Sequence, residues 1–197
     1  MTKPKIGIIY IHGFNSSPAS EKAQALVRYC RERGLADRVM APQVASMPAL
    51  ALKQLETLIQ RAIHPVGLLI GSSLGGYYAS YLSEKYDIKT VLLNPAVAPH
   101  KSPVKRFLGR QTNPYTGETY DVTPEYMNVL AGLEIDQIKK PENFLLMVQT
   151  GDEILDYRQA VSKYAGARQI IQQGGDHSFE GFEDMLPTIA RFAGLLS

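Results

Sequence analysis

The hexapeptide Gly71-Ser72-Ser73-Leu74-Gly75-Gly76 offers a hydroxyl nucleophile with glycines placed two positions before and after it. It follows the apolar run Val66-Gly67-Leu68-Leu69-Ile70 and precedes Tyr77-Tyr78-Ala79-Ser80-Tyr81-Leu82, the setting of a buried strand that turns sharply into a helix. A serine at the tip of such a turn has a strained backbone. The flanking chains approach so closely that a Cβ two residues away on either side would clash. Gly71 and Gly75 meet that demand for Ser73, whereas a frame centred on Ser72 would need glycine where Ile70 and Leu74 stand. Ser73 is therefore the candidate nucleophile. The same turn aims the Leu74 amide at the point where negative charge develops in acyl transfer. Two phosphate-binding readings of these glycines fail. A P-loop needs lysine where Tyr77 stands, and a dinucleotide fingerprint needs glycine at position 73 and an acidic residue near the apolar region of Val91.

A serine hydroxyl attacks only when a neighbouring base takes its proton. Of the four histidines, His64 precedes Pro65 between a helix and a strand and reads as a solvated turn residue. His100 lies in an irregular segment and reads as surface. His12 precedes Gly13 at the end of the first strand, where it is better placed to shape a loop. His177 stands in Gly174-Gly175-Asp176-His177-Ser178-Phe179, directly after the last strand, and is the candidate base. The carboxylate that would hold its tautomer is sought in Thr150-Gly151-Asp152-Glu153-Ile154-Leu155-Asp156. Asp152 is nearest the strand end and is preferred, with Asp156 as the alternative; Asp176 adjoins the histidine too closely to reach its outer nitrogen. For the oxyanion the first donor is the Leu74 amide. The second is expected from the loop after the first strand, where His12-Gly13-Phe14 makes Phe14 the candidate.

Those residues need elements to carry them. Strands are expected at 5–11, 38–41, 66–71, 90–93, 144–149 and 168–171, and helices from about Ser20 to Arg33, Pro48 to Ile63, 74–86 and Phe182 to Leu195. In the second helix Leu50, Leu52, Leu55, Leu58 and Ile59 are expected to form the buried face. Strands alternating with helices imply an α/β fold, a mainly parallel sheet with helices on both faces. Active sites in such sheets lie beyond the carboxyl ends of the strands, where all five candidates fall. Residues 96–140 break the pattern, with several prolines, a basic run (His100, Lys101, Lys105, Arg106, Arg110) and the turn-rich Asn113-Pro114-Tyr115-Thr116-Gly117. This stretch has no strand signal. It is expected to be a cap-like insertion over the site, with short helices near 103–109 and 123–131.

A chain of 197 residues, 45% hydrophobic and 20% charged, is expected to form a single domain over residues 1–197. The net charge of +2 is too small to call for a nucleic-acid or membrane partner, and no partner protein, metal or cofactor is implied. Cys30 is the only cysteine; it falls on the apolar side of a helix and reads as a buried structural thiol, in a chain expected in the cytoplasm. No run is long enough for a membrane span.

With these motifs in place the chain resembles the α/β-hydrolase superfamily, and more narrowly the YqiA-like family of small bacterial esterases. The likeness rests on Tyr10-Ile11-His12-Gly13-Phe14-Asn15-Ser16-Ser17-Pro18, the elbow through Ala79, Asn94-Pro95-Ala96-Val97, Asn113 to Gly117, Gln149 to Ala160 and Gly174 to Phe179. The resemblance implies a trimmed α/β-hydrolase fold. It also implies hydrolysis of small carboxylic esters, with Ser73 as nucleophile, Asp152 as acid and His177 as base. Two further readings stand beside it. One is an acyl-CoA thioesterase whose basic run meets the CoA phosphates. The other is a hydrolase-like binding module without turnover.

Overall fold

The apolar runs of the sequence are nearly continuous because both faces of the sheet they form are covered. In the computed structural model, which describes residues 5–101 and 107–195, six strands pair in parallel in the order β2-β1-β3-β4-β7-β8. They are β1 (Gly7–Ile11), β2 (Val39–Met40), β3 (Val66–Ser72), β4 (Lys89–Leu93), β7 (Phe144–Gln149) and β8 (Arg168–Gln172). Two further short strands, β5 (Gly109–Thr112) and β6 (Thr119–Val122), pair antiparallel apart from this sheet.

Alternation along each central strand divides the core in two. Ile8, Tyr10, Leu68, Ile70, Val91, Leu93, Leu145 and Met147 face one layer, which holds helix α1 (Glu21–Glu32) and helix α6 (Phe182–Phe192). Ile9, Ile11, Leu69, Leu92, Leu146 and Val148 face the other. That layer holds α2 (Pro48–Arg61), α3 (Leu74–Tyr86), α4 (Pro124–Ala131) and α5 (Tyr157–Lys163). Among the described residues no helix is long and apolar enough to cross a membrane.

Chain order along the sheet reverses at β1. From there the chain goes outward to β2 and then returns past β1 to β3 and beyond. The carboxyl ends of β1 and β3 therefore border the crevice where open α/β sheets place their ligands. Ser73 follows β3 and the His12 loop follows β1, so topology alone brings the two together.

The structure departs from the sequence-based expectations at three places. Within the insertion, 109–122 form a β-hairpin, closed by Asn113 Oδ1 accepting from the Tyr115 and Thr116 amides at 2.9 and 3.3 Å. Its strands are mostly exposed and so carry no apolar alternation to read. In α2 Pro48, Ala51 and Leu55 are fully buried and Leu52, Leu58 and Ile59 pack half-buried against the same core, so of the five residues expected inward Leu50 alone faces out. Leu50 is 59% exposed, because it lies about 100° around the helix from Ala51. The helix α5 had no expectation at all. The helix expected near 103–109 falls largely outside the described residues, whereas that near 123–131 is α4.

Candidate active site

Ser73 is the residue between β3 and α3, with φ 54° and ψ −122°, a backbone state that a side chain adopts only under constraint. The constraint is visible in its neighbours. A Cβ on Gly71 would stand 2.4 Å from the Gly75 carbonyl oxygen, and one on Gly75 would stand 2.0 Å from the Ile11 carbonyl oxygen. Both obstacles are backbone and cannot rotate away, so the two glycines let the turn be this sharp. The Ser73 amide donates to the Leu93 carbonyl at 3.0 Å, which ties the turn to β4.

His177 Nε2 lies 3.0 Å from Ser73 Oγ. Its Nδ1 lies 3.0 and 2.9 Å from the two carboxylate oxygens of Asp152. A carboxylate only accepts, so Nδ1 carries the proton and Nε2 presents its lone pair to the serine. The Asp152 side chain is 2% exposed. Its Oδ1 also accepts from the Ile154 and Leu155 amides at 2.9 and 2.8 Å. The structure thus brings together Ser73, His177 and Asp152. Asp156 stands elsewhere, capping α5 through the Arg158 amide at 3.0 Å; its hydrogen bond to the Arg158 side chain holds its carboxyl below the usual range.

Phe14 and Leu74 flank the serine, and all three line one cavity. Among the described residues no hydrogen bond from the Phe14 or Leu74 amide to another backbone group outside the helices and strands is present. The loop bearing Phe14 is held from two sides. His12 is buried; its Nε2 accepts from the Val44 amide at 3.0 Å and its Nδ1 donates to the Gly13 carbonyl at 2.9 Å. An imidazole accepting from a backbone amide is neutral, and burial lowers its pKa further. From above, the hairpin grips the same loop. Tyr120 Oη donates to Asn15 Oδ1 at 2.7 Å, Asn113 Nδ2 donates to the Ser16 carbonyl at 3.0 Å, and the Phe14 ring meets Phe107 and Tyr120 edge-on at 5.4 and 6.1 Å.

Sequence reasoning missed the residues that hold the histidine. Asn94, at φ 39°, donates from Nδ2 to the Asp176 carbonyl at 2.9 Å and accepts the Gln149 amide at 2.9 Å. Gln149 is 3% exposed; its Oε1 accepts from the Asp176 and Glu180 amides at 3.1 and 2.9 Å, and Nε2 donates to the Glu180 carbonyl at 2.7 Å. Glu153 Oε2 accepts the His177 amide at 3.0 Å. A signal was present: Asn94 and Gln149 are polar residues closing otherwise apolar strands, where a buried polar group must be hydrogen-bonded.

The remaining histidines are engaged elsewhere. His64 Nε2 lies 3.1 Å from Asp37, and His100 Nε2 lies 3.2 Å from Glu134. The basic run is also largely paired. Lys101 meets Glu134 at 2.7 Å and Arg110 meets Asp121 at 3.3 Å, while Lys105 and Arg106 lie outside the described residues.

Comparison with known proteins places this geometry. A protein from Pectobacterium carotovorum subsp. carotovorum is 25% identical over 193 residues, spanning 95% of this chain and 99% of its own. Among solved structures, alpha/beta hydrolase domain-containing protein 10 from mouse superposes with a TM-score of 0.74 at 17% identity, covering 100% of this chain and 93% of that one. Est1E from Butyrivibrio proteoclasticus, solved with ferulic acid bound, superposes with a TM-score of 0.68 at 16% identity, covering 96% and 89%. The shared architecture is the α/β-hydrolase fold. The model described as "Uncharacterised protein family (UPF0227)" matches residues 7–194, and the chain belongs to that family.

Proposed function

We propose that this protein is a serine hydrolase that cleaves carboxylic esters of small apolar acyl groups. The observation that carries the reading is the unbroken hydrogen-bonded series Asp152, His177, Ser73 at the tip of a strained strand-to-helix turn. In the reaction Ser73 Oγ forms a bond to the acyl carbon while its proton passes to His177 Nε2. The carbonyl oxygen becomes an oxyanion held by the Phe14 and Leu74 amides, each such donor contributing ~3 kcal/mol to the transition state. Collapse breaks the ester C–O bond, and the alcohol leaves with the proton from Nε2. Water then attacks the acyl-enzyme, giving its proton to His177. The Oγ–C bond breaks, the serine recovers its proton, and the carboxylic acid departs.

The apolar cavity beside the serine supports this choice of acyl group. It has a volume of about 240 Å³ and is lined by residues such as Ala96, Val122, Met127 and Leu130.

A fluorophosphonate probe on the folded protein, followed by mass spectrometry of the elbow peptide, tests the proposal. The expected adduct is on Ser73, present in Ser72→Ala and lost in Ser73→Ala and His177→Ala. Modification of Ser72, or labelling that persists in His177→Ala, would overturn it.

A further inference from the structure

Ser73 sits at the junction of two chambers of different character. The apolar one described above and a second, of about 530 Å³, share Phe14, Ser73 and His177 in their walls. The second is the more polar of the two, with carboxylates and hydroxyls beside its apolar surface. Its wall includes Glu21, Asp176, Glu180 and Glu183 against one cation, Lys22. An ester also has two halves, and they diverge from the carbonyl carbon that the serine oxygen attacks. An alkyl chain fits the apolar chamber; in the polar one it would strip water from carboxylates and hydroxyls and give nothing back.

Resting on the ester-hydrolase reading, we infer that the polar chamber receives the alcohol half, and that this alcohol is an uncharged, polyhydroxylated molecule of sugar-like size. Three features select it. The first is charge. Phosphates would meet four carboxylates, which disfavours a CoA leaving group. Arg28 holds Glu183 at 2.5 Å and Lys22 lies near Asp176 and Glu21, so two cations stand against the four carboxylates and the chamber keeps a negative balance. All four acidic residues are exposed, so a cationic alcohol finds no buried anion to pair with. The second is hydrogen-bonding capacity. Asn15, Ser16, Ser20 and Ser178 line the wall beside the carboxylates, and their polar groups can exchange hydrogen bonds with the hydroxyls of a substrate. The third is Tyr115, at the hairpin turn, which is 54% exposed yet forms part of the chamber wall. Its ring offers a flat apolar face to the C–H side of a sugar. The chamber, at about 530 Å³, is larger than the apolar one of about 240 Å³, as an alcohol half bulkier than the acyl half requires.

The test holds the acyl group constant and varies the alcohol. The butyrate esters of p-nitrophenol, ethanol, glucose (as a monoester) and choline, and butyryl-CoA, are compared by kcat/KM on the wild-type protein. The glucose ester is expected to exceed ethyl butyrate by about tenfold or more, because a site built to bind hydroxyls discriminates against an analogue that lacks them. Glu21→Gln and Tyr115→Ala are expected to reduce that ratio by about fivefold each, mainly through KM for the glucose ester. Equal rates for the glucose and ethyl esters, or a preference for butyrylcholine or butyryl-CoA, would overturn the inference while leaving an active esterase. Failure to turn over even the p-nitrophenyl ester, with no fluorophosphonate adduct, would remove the underlying reading and this inference with it.

Discussion

Replacing Asp152 by asparagine exchanges one carboxylate oxygen for an amide nitrogen, and the structure dictates which one. Oδ1 accepts from the Ile154 and Leu155 amides as well as facing His177 Nδ1, whereas Oδ2 faces the histidine alone. Two backbone N–H groups keep the asparagine oxygen at the Oδ1 position, so the new NH2 points at Nδ1. Two donors cannot share that contact at 2.9 Å, and the oxygen left 3.0 Å from Nδ1 is already engaged by two amides. The imidazole must move its proton to Nε2, and the atom 3.0 Å from Ser73 Oγ then holds a hydrogen where a lone pair is needed. The loss expected from the wrong tautomer is about ten-thousand-fold in kcat, or about 5.5 kcal/mol. Folding is hardly affected, because both loop hydrogen bonds survive. Asp152→Ala lacks them and is expected to lose about 1–2 kcal/mol of stability in addition. Hydrolysis of p-nitrophenyl butyrate and urea unfolding of the two variants provide the comparison. Asp152→Asn activity within about tenfold of wild type would show that Asp152 does not set the tautomer, and the proposed triad would fail.

Further outcomes follow from other parts of the same geometry. Gly75→Ala is expected to cost ~1–3 kcal/mol of stability or more, since its Cβ would lie 2.0 and 2.6 Å from the Ile11 and His12 carbonyl oxygens, and to abolish fluorophosphonate labelling because relief of that clash displaces the Phe14 loop; an unchanged urea midpoint would refute the close approach. Asn94→Ala removes the bond to the Asp176 carbonyl and leaves the buried Gln149 amide without its acceptor, so kcat should fall by up to about a hundredfold through misplacement of His177; loss of stability with kcat intact would make the residue structural only. Cys30 is 2% exposed, and burial raises its thiol from 9.0 to about 11. The folded chain therefore keeps a proton that the unfolded chain gives up, and stability complete below pH 9 should decline by on the order of 2–3 kcal/mol as pH rises to about 11. Urea unfolding of wild type and Cys30→Ala across that range should show the extra slope in wild type alone, and parallel slopes would contradict the assignment.

The elements legible in the sequence are those whose neighbours are dictated by sterics or by burial on two sides. The strands β1, β3, β4 and β7 are apolar on both faces because helices cover both, and the elbow frame is readable because only glycine fits at positions 71 and 75. What escaped reading has a different physical origin. The β5–β6 hairpin is stabilised by its turn and by its grip on the Phe14 loop rather than by an apolar face, so nothing in Gly109-Arg110-Gln111-Thr112 marks a strand. Leu50 was assigned inward by residue type, although the buried stripe of α2 runs through Ala51, and only the angular position distinguishes them.

The supports of His177 escaped for a related reason. Asn94, Gln149 and Glu153 act through backbone amides and carbonyls, groups that every residue possesses, so the partners leave no trace in side-chain identity. Their own side chains leave one, since a polar residue closing an apolar strand, nearly inaccessible to water, must be bonded to something. In a parallel sheet of this kind the carboxyl ends of the strands are where backbone polar groups run out of ladder partners. Polar residues placed there have two uses: to satisfy that backbone, or to act on a ligand. Ser73 and Asp152 have geometry suited to the second, and Asn94 and Gln149 perform the first, which fixes the loop that carries the histidine.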